Sequence, residues 1–104
     1  MSTANEQKTE TEIQAKGKTA PRLTPGAIDY AIMSTAFHVF PGTTLTVCAL
    51  TLRNGYQVVG ESACASADNF DAALGQRLAF EDARRKVWSL EGYLLRSKLA
   101  GQVS

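Results

Sequence analysis

The sequence is poor in the residues from which most enzyme and metal sites are built. Its 104 residues include two cysteines, Cys48 and Cys64, and one histidine, His38. Two cysteines are too few for a disulfide scaffold or a zinc site. One histidine leaves most metal sites and histidine-based catalytic triads hard to build within one chain. We therefore expect no metal, no cofactor and no catalytic set, and we interpret His38 and both cysteines as packing or loop residues.

An excess of charge of one sign and long apolar runs are missing as well. Eleven Lys+Arg oppose ten Asp+Glu, and the isoelectric point is near 7.8. Proteins that coat nucleic acid usually have values above ~9, so no DNA partner is expected. No apolar run approaches the roughly 18 residues of a membrane span, and the first residues contain no apolar signal segment. We expect a soluble protein of the cytoplasm that does not bind membranes.

Residues 1–20 differ in composition from the rest of the chain. Their few apolar residues follow no period, so the segment cannot bury enough surface to offset its ordering entropy. We predict a disordered tail over residues 1–20, with a helix near Ile13 as the alternative, and a single domain over residues 21–104. A domain of this size buries a marginal core, and oligomerisation is one way to complete it.

A helix is predicted over residues 25–36. Thr24 is a suitable N-cap, and Pro25 at the first helical position loses no hydrogen bond. Ile28, Ile32 and Ala36 then recur every four residues, which is typical of an amphipathic helix.

Residues 44–53 and 56–64 are predicted to form a β-hairpin. Both segments are rich in β-branched and aliphatic residues, and the Asn54-Gly55 pair between them favours a two-residue turn with φ > 0 at both positions. This turn would place Leu50 opposite Val59. Cys48 and Cys64 would then point to opposite faces and remain free thiols.

The C-terminal part is predicted to be helical. Ser66 can cap a helix over residues 67–87, in which apolar residues recur every four positions. Residues 88–91 are predicted to form either a kink or, because Ser89 can act as a cap, the start of a further helix, and the helical segment ends near Leu99. The predicted fold is therefore α+β, an antiparallel hairpin packed with N-terminal and C-terminal helices and completed by oligomerisation.

One group of side chains in this helical region suggests ligand binding. A guanidinium binds phosphate through two parallel hydrogen bonds, and it can stack on adenine, as an aromatic ring can. The alternative interpretation is solvated surface cations beside core aromatics. The group comprises Arg77, Arg84, Arg85, Lys86 and Arg96, with Phe70, Phe80, Trp88 and Tyr93.

Four blocks of sequence resemble a known family. They are LTLRNGY at 50–56, GESACAS at 60–66, DNFD at 68–71 and KVWSLEGYLL at 86–95. Together with RLTP at 22–25, they resemble small tailed-phage proteins associated with the Thoeris anti-defence sponge proteins, over about residues 21–99. Ser89 and Ala67 depart from this pattern, because proline is common at both places in the family.

The resemblance implies a function. Such proteins bind and sequester cyclic ADP-ribose isomers made by bacterial TIR-domain enzymes, and they block host immune signalling without cleaving the signal. They act in the host cytoplasm as homodimers or hexamers with pockets between subunits. Some members also hold cyclic di- or trinucleotides at a separate site.

A ligand site on this chain can be predicted on that basis. The adenine and the diphosphate require an aromatic or guanidinium face and cationic or N–H donors. We expect Arg84 or Arg85 to be the principal phosphate ligand, and the region of Arg22, Arg53 and Tyr56 is the alternative. The full predicted set is Asn69, Phe70, Arg77, Arg84 and Arg85.

Two other functions fit the same sequence. One is a phage structural or regulatory protein that binds another protein through the apolar hairpin face. The other is a hydrolase of the same signal.

Overall fold

The computed structural model describes residues 3–17 and 20–103. Within these ranges three strands form an antiparallel sheet in the order β1-β2-β3, and the longest helix packs mainly against β3 and β2. None of the helices there is both long and apolar enough to cross a membrane. The architecture confirms the predicted α+β class with a hairpin packed against helices. The elements are α1 (Ala4–Ala15), α2 (Pro25–Ala31), β1 (Ile32–Val39), β2 (Leu45–Leu52), β3 (Gln57–Ala63), a 3-10 turn (Ala67–Asn69) and α3 (Ala72–Val103).

Helix α1 lies where the sequence predicts a disordered tail. Thr3 caps it, since its hydroxyl oxygen accepts from the Glu6 N–H at 3.1 Å. The helix buries no residue, as the lack of apolar period implies, and instead forms charged pairs with the domain through Glu6 and Glu10. These partners are distant in sequence, which is why composition did not reveal them. Residues 1, 2, 18 and 19 of the predicted tail lie outside the described residues.

The predicted helix over residues 25–36 ends at Ala31, and strand β1 follows directly. Periodicity was misleading here, because the residues after Ala31 include the β-branched Ile32, Thr35 and Val39, which favour a strand. The strand pairs with β2 along a full edge, so the backbone groups on that side of β2 are satisfied. Tertiary pairing therefore overrides a weak helical pattern.

The hairpin is confirmed, but its register differs by one residue from the prediction. The Leu52 N–H donates to the Tyr56 carbonyl at 2.8 Å, which closes a three-residue turn over residues 53–55. Only Gly55 has positive φ there, at 90°. This is the alternative turn that places one left-handed glycine after a type I turn. Leu50 consequently pairs with Val58, and Val59 faces outward.

The one-residue slip changes the argument about the cysteines. A shift of one position moves every side chain of β3 to the other face. Cys48 lies opposite Gly60 and therefore on the same face of the sheet. Cys64 is an even number of residues from Gly60, so it follows that face too, and the prediction of opposite faces is wrong. Both thiols are nevertheless free: Cys48 is fully buried, which raises its pKa to about 11, and the Cys64 thiol donates to the Ser66 carbonyl at 3.0 Å.

Helix α3 is continuous where two helices were predicted. It begins five residues later than expected because Asp71, and not Ser66, caps it: the Asp71 carboxylate accepts from the Leu74 N–H at 3.1 Å. The Ser89 hydroxyl lies 3.5 Å from the Arg85 carbonyl of the preceding turn. Ser89 therefore bonds back within the helix and starts no new one.

Close approach of α3 to the sheet depends on small residues. Gly75, Ala79, Ala83 and Val87 are spaced by four and are all buried, so they form one stripe facing the sheet. Gly60 of β3 lies directly against this stripe. A Cβ atom at Gly60 would overlap the backbone of Ala79 and Ala83.

The two edges of the sheet differ in how their backbone groups are satisfied. At the β3 edge, the Asp82 carboxylate accepts from the Glu61 N–H at 3.0 Å, and the Lys86 ammonium donates to the Val59 carbonyl at 2.6 Å. The hydrogen bond from Glu61 also lowers the pKa of Asp82. Side chains of α3 therefore block pairing at β3, a common protection of edge strands. Residues 33–38 of β1 are all exposed.

Gly60→Ala is expected to destabilise the domain because the added methyl has no space against α3. Overpacking of this kind costs about 1–3 kcal/mol. Urea unfolding followed by circular dichroism measures the change. Gly26→Ala is the matched control, since Gly26 is exposed on a helix and alanine there raises stability by at most about 1 kcal/mol. Equal unfolding midpoints for Gly60→Ala and the native chain would contradict the close packing.

Candidate functional site

A cavity of about 430 Å³ lies between α1 and the side of α3 turned away from the sheet. We call it the α1–α3 pocket. Its volume falls in the range of small-molecule sites. Three of the predicted or associated ligand residues, Arg77, Arg85 and Trp88, contribute to it together. The lining residues are Thr3, Ala4, Asn5, Glu6, Arg77, Glu81, Arg85 and Trp88.

Arg77 and Arg85 are held loosely. Their side chains are 59% and 72% exposed, and each pairs with a carboxylate of its own helix: Arg77 with Glu81 at 3.4 Å, and Arg85 with Asp82 at 3.2 Å. Exposed pairs of this kind are worth about 0.2–1 kcal/mol. Both guanidinium groups can therefore turn to an anion in the pocket at small cost.

Arg84 is held in a different way. Its side chain is 1% exposed, and its Nε and Nη2 atoms donate to the two carboxylate oxygens of Glu6 at 2.7 and 2.8 Å. Nη2 also forms an ion pair with Asp29 at 2.8 Å and donates to the Pro25 carbonyl at 3.2 Å. Breaking a buried pair of this kind costs about 3–5 kcal/mol, because it leaves a buried charge without compensation. With α1 in place, Arg84 joins α1, α2 and α3, and Arg85 is the more accessible of the two predicted phosphate ligands.

The Glu6 carboxyl is tuned by this arrangement. Partial burial alone would raise its pKa, but hydrogen bonds from Arg84 and Trp88, together with the Arg84 charge, outweigh burial and lower the pKa. Burial alone would lower the pKa of Arg84, but hydrogen bonds to Glu6 and Asp29, together with the charges of these two carboxylates, outweigh burial and raise the pKa above its usual value. Glu6 is thus ionised at neutral pH and acts as an internal carboxylate ligand of Arg84.

Asn69 and Phe70 do not join these residues. Asn69 ends the 3-10 turn before α3, and Phe70 follows it and packs near Gly75. Arg84 lies more than three turns further, about 18 Å along the helix axis from Ala72. Within one chain, the structure therefore divides the predicted set into a pair before α3 and three arginines on α3.

The alternative ligand region, which comprises Arg22, Arg53 and Tyr56, does not share contacts with the α1–α3 pocket. The Arg53 guanidinium lies 3.9 Å from the centre of the Tyr30 ring, and its Nε donates to the Tyr30 carbonyl at 2.9 Å. Both residues line a second cavity of about 420 Å³. Arg22 lies elsewhere and binds Glu10 through two hydrogen bonds of 2.6 and 2.8 Å. The three residues of the alternative region therefore do not form one site.

Two components of the α1–α3 pocket were not predicted. Trp88 was named only among nearby aromatics, although its spacing of four from Arg84 and eleven from Arg77 puts it on their side of the helix. Glu6 was assigned to the tail, and no local pattern links it to Arg84. As a whole, the pocket offers two exposed, weakly paired cations and one aromatic ring, which suit binding of an anion joined to a ring system. Among residues 3–17 and 20–103, no cluster of His, Cys, Asp and Glu is placed to hold a metal ion.

Comparison with known proteins identifies a phage family. The profile of the phage protein (N4 Gp49/phage Sf6 gene 66) family matches residues 23–99, which is most of the chain and includes all of α2, the sheet and most of α3. The chain belongs to this family. No curated protein and no solved structure matches it. The matched region begins after α1, so of the two carboxylates paired with Arg84, Glu6 lies outside it and Asp29 lies within it.

Acid is expected to release α1 from the domain. The pKa values of Glu6 and Glu10 are lowered in the folded state, so their contribution to docking is fully present above the ordinary glutamate value of 4.5 and is lost as pH falls through the lower folded values. Trp88 is the one tryptophan of the sequence, and acrylamide quenching of its fluorescence reports this release. Quenching that stays constant down to the pH of global unfolding would contradict the prediction.

Proposed function

We propose that this phage protein sequesters cyclic ADP-ribose isomers, and so blocks host immune signalling without cleaving the signal. One observation supports this most: Arg77, Arg85 and Trp88 line a single pocket of suitable size. The two guanidinium groups match the diphosphate, and the indole matches the adenine. Family membership supports a phage origin, and the resemblance of the four sequence blocks supports this class of ligand. Cyclic di- or trinucleotides at a separate site belong to the same proposal.

The charges around the pocket are compatible with an anionic ligand. Glu6 is neutralised by Arg84, and Glu81 is bound to Arg77 by a single exposed contact of 3.4 Å. A diphosphate would displace Glu81 from Arg77 and Asp82 from Arg85. Since both pairs are weak, the exchange favours the ligand with the higher charge.

Substitution of the pocket residues is expected to weaken binding of a cyclic ADP-ribose isomer. Arg85→Ala and Arg77→Ala each remove a charged hydrogen bond to phosphate, worth about 1.5–3 kcal/mol. Trp88→Leu removes a stacking face worth about 1–3 kcal/mol. Isothermal titration calorimetry should therefore show affinity falling roughly tenfold or more for each variant.

Arg96→Ala is the matched control. Arg96 is an exposed arginine of the same helix that does not line the pocket, so its loss should leave affinity unchanged. Native affinity in Arg77→Ala, Arg85→Ala and Trp88→Leu would contradict the assignment of the site. Loss of affinity in Arg96→Ala as well would indicate a general charge effect.

The proposal includes assembly into a homodimer or hexamer, with β1 as the contact. All residues from 33 to 38 are exposed, and Met33 and Phe37 are 59% and 39% exposed. The opposite edge of the sheet is blocked by Asp82 and Lys86, so β1 is the edge that a second copy can pair with or cover.

Light scattering is expected to give at least twice the chain mass of 11.2 kDa. Met33→Lys and Phe37→Lys together should lower the mass to that of a monomer without unfolding it, because both side chains are already exposed in one chain. Tyr93→Lys is the control, since Tyr93 is 74% exposed on α3, away from the sheet edge. A monomeric native protein at micromolar concentration would contradict the proposed assembly.

A further inference from the structure

We infer that α1 is a displaceable cover over a phosphate-binding site at Arg84, and that the Glu6 carboxylate occupies this site as an internal competitor. The inference deepens the proposed function and rests on it for the identity of the natural ligand. It assigns to Arg84 a part in binding that its burial under α1 conceals. The chemical class of ligand is a phosphate or diphosphate oxyanion.

The attachment of α1 to the domain consists mainly of charged pairs. Helix α1 buries none of its own residues. Two bidentate pairs hold it, Glu6 with Arg84 and Glu10 with Arg22. Elements with few buried apolar contacts open at low free-energy cost. Helix α1 is therefore the element of this fold best suited to move.

Empty space beneath α1 also indicates that this helix can move. Besides the α1–α3 pocket, another cavity of about 270 Å³, separate from the one at Arg53, lies under the helix. Its lining includes Ile13, Leu23, Pro25 and Trp88. Both cavities reach Trp88, so displacement of α1 would join them into one groove along α3.

Arg84 is prepared to receive an anion in this groove. Two of its nitrogens already bind the two oxygens of a carboxylate, which is the bidentate geometry that phosphate also accepts. Its Nη1 atom is buried and has no hydrogen-bond partner among the described residues. A phosphate can replace Glu6 at the Nε and Nη2 fork, and the second phosphate group of a diphosphate can accept from Nη1, which points away from that fork and is not reached by Glu6.

When a phosphate replaces the Glu6 carboxylate, the buried Arg84 charge keeps a counter-ion. The free-energy cost of leaving that charge without compensation is therefore avoided. Asp29 and the Pro25 carbonyl stay bound to Nη2 when α1 leaves. The groove would then hold Arg84 between Arg77 and Arg85, with Trp88 beside them. All three arginines of the predicted site thus serve one ligand, although only two of them line the pocket while α1 is docked.

Inorganic pyrophosphate, titrated into the full-length protein, tests the inference. Saturation should make Trp88 more accessible to acrylamide and speed hydrogen exchange of the α1 amides. Glu6→Gln weakens the internal competitor, so it should increase quenching before any ligand is added and raise pyrophosphate affinity roughly tenfold, by raising the fraction of open molecules. Hydrogen exchange of the α1 amides in the native chain, with and without saturating pyrophosphate, tests the same displacement without a substitution.

Glu81→Gln is the matched control for charge alone. Glu81 lines the same pocket but lies on α3, so its neutralisation removes a negative charge without loosening α1. Trp88 quenching in the free protein should stay at the native value in Glu81→Gln. Equal quenching in the Glu6→Gln and Glu81→Gln variants would overturn the inference, as would unchanged α1 exchange at saturating pyrophosphate or no binding of pyrophosphate.

These outcomes are distinct from failure of the proposed function. Pyrophosphate that displaces α1, in a protein that does not capture cyclic ADP-ribose isomers, would support the cover and contradict the sponge. Capture of cyclic ADP-ribose isomers without any change at Trp88 or α1 would support the sponge and contradict the cover.

Discussion

The contact of Gly60 with the α3 backbone at Ala79 and Ala83 is the constraint on which the arrangement of the other elements depends. It sets the rotation of α3 about its axis, because only the stripe of small residues can lie this close to β3. Asp82 and Lys86 are thereby placed at the β3 edge, which they block. The arginines and Trp88 lie on the side away from the sheet, where α1 and α2 pack. The pocket is thus a consequence of the way in which α3 meets the sheet.

Local signals predicted those parts of the fold that local interactions determine. The Asn54-Gly55 pair and its flanking segments predicted the hairpin, and apolar spacing predicted most of α3. The register was not predictable because Asn-Gly suits both a two-residue turn and the three-residue turn that the structure contains. Strand β1 escaped prediction since its conformation depends on pairing with the free side of β2, which no local pattern shows.

The candidate site was predictable to the extent that it lies on one helix. Helical spacing places Arg77 and Arg85 on the surface that carries Trp88, and the structure brings these three together. The burial of Arg84 was not predictable, because its partners Glu6 and Asp29 come from two other helices. A buried arginine bound to carboxylates is commonly a structural feature. Here its carboxylate partner on α1 comes from an element outside the region that matches the phage family.

The proposed function requires the protein to hold a nucleotide signal without altering it. The most direct measurement is recovery of the ligand: a cyclic ADP-ribose isomer is mixed with excess protein, the free ligand is measured by filtration, and the protein is then denatured by heat. If the protein is a sponge, the ligand disappears from the filtrate and returns chemically intact after heating. Degraded products after heating would indicate a hydrolase. A filtrate that keeps all of its ligand before heating would contradict binding and favour a phage protein that acts through protein contacts.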